Sequence, residues 1–197
     1  SATAKVNVSS APANRELNFV NDVLPVLGRA GCNSGACHAK PEGQAGFKLS
    51  VFSYDPRADY AEIVKDVHGR RVFPSAPDQS LILRKALGLV PHEGGQRFEA
   101  GSPTHRLVSR WLREGLPFSA TNEPALKGIS IFPRERRYHK GGDQQLLVRA
   151  EYSDGSVRDV TGLASYELAQ LGVAEMGSNG RVIRRGDGET TVLVRYL

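Results

Sequence analysis

Only two cysteines, one methionine and one tryptophan occur in these 197 residues. The lone methionine, Met176, stands in the second half, so residues 15–118 contain no thioether sulfur. Every apolar run is broken by Arg, Asp or Gly within a few residues, which excludes a bilayer-spanning segment. No basic run is interleaved with aromatics, which excludes the usual footprint of a nucleic-acid binder. Neighbouring carboxylates, Asp55 with Asp59 and Asp154 with Asp159, fall at turns and helix starts where capping accounts for them, so no acid/base pair is distinguishable. Residues 1–14 are small, polar and Pro-containing and read as a linker or disordered N-terminus.

What is present is a loop that holds both cysteines: Gly31-Cys32-Asn33-Ser34-Gly35-Ala36-Cys37-His38. Two thiols a short loop apart can reach the two vinyl groups of one porphyrin as thioethers, while the next side chain, His38, turns onto the iron axis. The usual attachment signature has two residues between the cysteines and this chain has four; a longer loop can bulge outward and still present both sulfurs. Two other readings stand beside covalent haem c, one per chain. The thiols can close a small-loop disulfide, or they can join His38 and a distant histidine around zinc, although adjacent Cys37 and His38 are poorly placed to aim at one small ion. Haem attachment takes place outside the cytoplasm, so an extracytoplasmic chain, periplasmic or at the cell surface, is expected, with its signal peptide already removed.

The net charge of +5 is uneven. Residues 1–118 hold 15 Lys and Arg against 11 Asp and Glu, whereas residues 119–197 hold 11 against 10. The surplus sits in the half with the cysteines, where it can offset haem propionates or steer an acidic redox partner. A solvated basic surface accounts for it equally well.

Apolar spacing predicts a first helix over residues 15–29, kinked or ended near Pro25, and others over 56–67 and 80–87. A fourth is capped by Ser102, opened by Pro103 and ended by Gly115, with Leu107, Val108, Trp111 and Leu112 along one stripe. Residues 119–125 have linker composition. Beyond them the period changes to short strands, at 128–132, 145–152, 157–160, 173–176, 181–184 and 190–196, separated by Asp154-Gly155, Asn179-Gly180 and Asp187-Gly188. The expected fold class is therefore two domains, an all-α domain over 15–118 followed by an all-β sandwich over 126–197.

With these residues in view, 15–118 resembles the cytochrome c-like domain of large extracytoplasmic planctomycete proteins. The resemblance rests on C-N-S-G-A-C-H, G-F-K-L-S-V-F-S-Y-D-P, G-R-R-V, P-H-E-G-G-Q-R-F and the Trp-containing last helix. Residues 126–197 resemble a bacterial Ig-like domain of group 2, through Y-S-D-G-S-V-R-D-V-T and S-N-G-R-V. The first resemblance implies a haem held between helices and loops, with Phe19, Val23 and Trp111 in the packing where first and last helices cross. It also implies a piece of a longer polypeptide with further domains.

In small cytochromes c a methionine from a loop before the last helix completes the iron. That half has none here, and His92, in Val90-Pro91-His92-Glu93-Gly94-Gly95, stands where that loop would fall. His92 is therefore the leading sixth ligand; His68, Lys48, Tyr54 or an open position are the alternatives. Arg71 and Arg97 flank the candidate loops and suit carboxylates such as propionates. A His38/His92 iron implies a comparatively low-potential one-electron carrier rather than an enzyme. An open position would instead imply sensing or peroxide chemistry. A third reading makes the second domain a polysaccharide- or protein-binding module.

Overall fold

The computed structural model describes residues 16–119, 123–138 and 142–197. The expected linker at 1–14, Arg15 at the start of the first expected helix and domain, and residues 120–122 of the expected 119–125 linker lie outside them.

Pro25 decides how the chain enters its first helix. Proline has no N–H to give to the carbonyl of Asn21, four residues back. A π turn forms over Phe19–Val23 instead, its start capped by the Asn18 side chain, and the Leu24 N–H reaches back to the Phe19 carbonyl. Helix α1 (Leu24–Arg29) follows. Helix α2 (Pro56–Val64) is capped by Asp55, α3 (Leu81–Ala86) follows Ser80, and α4 (Pro103–Arg113) is capped by Ser102, whose hydroxyl accepts from the His105 N–H at 3.2 Å.

Phe19, Val23 and Trp111 are fully buried. The Phe19 ring lies 5.2, 5.4 and 6.1 Å from those of Tyr60, Trp111 and Phe118, centroid to centroid. Three hydrogen bonds tie the end of this half to its start: Phe19 N–H to the Phe118 carbonyl, Trp111 Nε1–H to that of Pro117 and Tyr60 O–H to that of Leu116.

The second half has β1 (Leu126–Phe132), β2 (Asp143–Gln145), β3 (Leu147–Tyr152), β4 (Val157–Asp159), β5 (Ser165–Leu168), β6 (Ala174–Met176), β7 (Arg181–Arg184) and β8 (Val192–Arg195). They form three antiparallel sheets, ordered β1-β3-β4, β2-β7-β6 and β5-β8.

This corrects the expected fold class. The first half is not an all-α domain: its α-helices have six, nine, six and eleven residues. Residues 31–55 contain no α-helix, because left-handed backbone at Gly31, Gly43, Ala45, Gly46, Phe52 and Ser53 repeatedly breaks any helical run. The helix expected over 56–67 stops at Val64, since Val67 and His68 also take positive φ. The second half is not a two-sheet sandwich either. Leu146 leaves the run expected over 145–152 to donate its N–H to the Gly180 carbonyl, so β2 and β3 join different sheets. The chain is a mixed α and β structure.

The two halves share packing. Leu163 and Leu197 lie against both apolar cores. Asn21 Nδ2 donates to Glu123 at 3.1 Å and to the Pro124 carbonyl at 3.2 Å. The Asn21 carbonyl, which Pro25 leaves without its helical donor, accepts from Tyr196 O–H at 3.4 Å, and Tyr196 in turn meets the Tyr152 hydroxyl at 2.9 Å. Among the described residues no helix is long and apolar enough to cross a membrane.

Candidate functional site

Where α1 ends, Gly31 takes φ +76° and the chain turns into the cysteine loop. The Cys32 N–H bonds the Leu27 carbonyl, and the Cys32 carbonyl accepts from the His38 N–H at 3.1 Å, so the ends of the loop are pinned together. Asn33, buried beneath it, donates to Ser53 Oγ at 2.9 Å. Both thiols are free.

The segment after the loop wraps His38. Its Nδ1–H donates to the Phe47 carbonyl at 3.1 Å, its ring lies 4.4 Å from the Phe47 ring, and its own carbonyl accepts from the Leu49 N–H. Glycine is required at position 43, where φ is +66° and a Cβ would stand 2.5 Å from the Phe47 oxygen that holds His38. Burial lowers the pKa of His38 below its ordinary 6.5 despite this hydrogen bond, and the nearby His92, Arg71 and Lys85 act in the same direction as burial.

His92 comes from the loop beyond α3. Lys85 Nζ holds the Pro91 carbonyl at 2.9 Å, and His92 Nδ1–H donates to the Gly95 carbonyl at 2.8 Å. Both histidines thus bind a carbonyl through Nδ1, which fixes the tautomer and leaves Nε2 with its lone pair. The two rings are 11° from parallel with centroids 6.3 Å apart.

These parts surround one cavity of about 580 Å³. Cys32, Cys37, His38, His92, Arg71 and Arg97 all line it, as do the apolar side chains of Leu27, Leu49, Ile82, Phe98 and Val108. The volume is typical of a cofactor site, roughly 300–1,000 Å³. Arg97 Nη2 donates to Cys37 Sγ at 3.2 Å, and a Cβ on Gly94 would press on both Arg97 and His92. The Cys32 thiol, packed against the core, is pushed up from 9.0 to about 11 by burial, with Arg97 opposing. Gln44 bonds Glu93 and accepts from Lys40, joining the segment beyond His38 to the His92 loop.

Arg71 is buried with its donors committed to protein acceptors: the Glu62 carbonyl at 2.6 Å, Asp66 at 2.8 Å and the Gly46 carbonyl at 2.9 Å. His68 and Lys48 are exposed and Tyr54 is 91% exposed; none of the three lines the cavity, nor does Met176. His105 accepts from the Gly101 N–H, away from the site. Phe19, Val23 and Trp111 serve the core and do not line the cavity. Sequence reasoning passed over Phe47, Gln44 and Lys85; the nearest signal was a Gly-Phe pair soon after His38. Among the described residues no three of His, Cys, Asp or Glu gather where they would hold a metal ion, so the zinc reading finds no full ligand set there.

The chain matches no protein-family model and no curated protein.

Proposed function

We propose that this chain is a c-type haem protein, with haem attached through Cys32 and Cys37, iron held by His38 and His92, and one-electron transfer as its work. The observation that carries this reading is the spacing of the two imidazoles. An imidazole nitrogen bonds a first-row metal at about 2.0–2.1 Å and the ring centroid lies roughly 1.15 Å behind it, so two imidazoles opposed across one metal have centroids about 6.3–6.5 Å apart. The observed 6.3 Å falls in this range, with a free Nε2 on each ring. A haem would supply four further nitrogens and an iron that cycles between two oxidation states.

The chain's own groups then divide the work. Cys32 and Cys37, both lining the cavity, would furnish the two thioether sulfurs. His38 and His92 are held in the ligating tautomer by the Phe47 and Gly95 carbonyls. Arg97 is the cation best placed for a propionate, since Arg71 is bound elsewhere. With Arg71 paired to Asp66, Arg70, Lys85 and Arg97 against the lining carboxylate of Glu93 give the cavity a positive border, which supports an acidic redox partner. The reading places the protein outside the cytoplasm, where such attachment occurs.

Absorption spectra of protein made in cells competent for cytochrome maturation test this. Sharp α and β bands on reduction, insensitive to carbon monoxide, are expected. Ready uptake of carbon monoxide would remove His92 from the iron, and a colourless protein would overturn the haem assignment altogether.

A further inference from the structure

The placement of Arg71 bears on His38. Its guanidinium lies over the Phe47 ring at 4.5 Å, and that ring lies 4.4 Å from the His38 ring, centroid to centroid. The same guanidinium takes the Gly46 carbonyl at 2.9 Å, fixing the peptide that leads into Phe47, while its other nitrogen anchors to the Glu62 carbonyl and Asp66. Phe47 in turn presents the carbonyl that accepts the His38 Nδ1–H. Ala45 takes φ +52°, a left-handed backbone that a residue with a Cβ adopts only when its surroundings hold it, beside Gly46 at φ +71°. Gln44 and Phe47 close the turn from within by exchanging two backbone hydrogen bonds, and Arg71 ties that closed turn from outside to α2 and the turn after it.

We propose that Arg71 is a positioning residue for His38, acting through Phe47: it fixes the carbonyl and the ring that together set the imidazole's tautomer and plane. This rests on the reading of His38 as an iron ligand only for its consequence, because the arrangement is made by this chain's own side chains and carbonyls. A planar fork is needed. One nitrogen reaches α2 and the turn after it, the other reaches the loop, and the flat face covers an aromatic ring; a lysine ammonium offers neither the fork nor the face.

The test is a two-bond proton–nitrogen spectrum of the His38 ring in ¹⁵N-labelled unloaded protein above pH 7, with Trp111 fluorescence as the check of folding. Wild type is expected to show one tautomer, protonated at Nδ1. Arg71→Met and Arg71→Lys are expected to lose that single signature and give exchange between tautomers, whereas Asp66→Asn, which leaves the Gly46 and Glu62 bonds in place, keeps it. Phe47→Leu, which leaves every hydrogen bond of Arg71 available, is expected to lose it too, and decides the matter if the Arg71 variants do not fold. A folded Arg71→Met or Phe47→Leu protein with the wild-type His38 signature would overturn the proposal. The spectrum reads the effect of Arg71 on His38 whether or not the chain takes up haem, so the two proposals can fail separately. In the loaded protein, the same variants are expected to change the ferric EPR g-values while keeping the pigment.

Discussion

His38 and His92 stand with their rings 11° from parallel and 6.3 Å apart, each bound through Nδ1 to a backbone carbonyl of its own loop. Two short segments, far apart in sequence, bring these rings to the same cavity.

Near-parallel imidazole planes across an iron predict a rhombic low-spin ferric EPR spectrum. Perpendicular planes give a single strongly shifted feature instead, and observing that feature would show that the rings turn on loading.

Replacing His92 by alanine is predicted to open one side of the iron and to let carbon monoxide bind the reduced protein, which the wild type is predicted to resist. Replacing it by methionine is predicted to raise the reduction potential, since thioether coordination favours the reduced iron. An unchanged spectrum in His92→Ala would assign the sixth position to another group.

The two thiols of the unloaded chain are predicted to differ in reactivity. Burial holds Cys32 at about 11 against an ordinary 9.0, two pH units that leave about 100-fold less thiolate at any pH below both values. Mass spectrometry during alkylation should find Cys37 modified well before Cys32. Equal rates would show that Cys32 is not sequestered.

Stability of the unloaded protein is predicted to fall in mild acid through His38. Its pKa in the folded chain lies below the ordinary 6.5 because burial disfavours the charged ring. Above 6.5 the ring is neutral folded and unfolded, so its full contribution is present; as the pH falls, the unfolded chain gains the proton first and that contribution is lost. His38→Gln should shrink the difference in urea midpoint between pH 7.5 and 5, and a difference as large as wild type's would exclude His38 as its source.

Tyr196→Phe removes the hydroxyl that serves both Asn21 and Tyr152, and a cost of about 1–2 kcal/mol is predicted for the lost buried bonds. Trp111 lies in the helical half and Tyr196 at the end of the strand half, so Trp111 fluorescence during urea unfolding reads whether the halves unfold together. A shift of the Trp111 transition is expected, and an unmoved one would mean that the halves unfold independently.

Much of the candidate site was legible in the sequence because its chemistry is local. Cys32, Cys37 and His38 share one loop, and His92 sits between Pro91 and two glycines before the capped α4. The role of Arg71 was not legible, since its partners Gly46, Glu62 and Asp66 come from separate segments and two of them act through backbone carbonyls. The fold class misled for a related reason. Apolar spacing around residues 17–27 and 56–67 reads as helix, yet Pro25 forces a π turn and Val67 and His68 adopt left-handed backbone. Strand β5, Ser165–Leu168, is too short for alternation to announce it, and it is a strand by virtue of its pairing with β8.

The most direct measurement is acid–acetone extraction of protein from cells competent in cytochrome maturation, followed by proteolysis and mass spectrometry of any retained pigment. The account predicts haem that stays with the chain and maps, through two thioethers, to the peptide containing Cys32, Cys37 and His38. Haem that extracts completely, or a peptide recovered with both thiols unmodified, would contradict it.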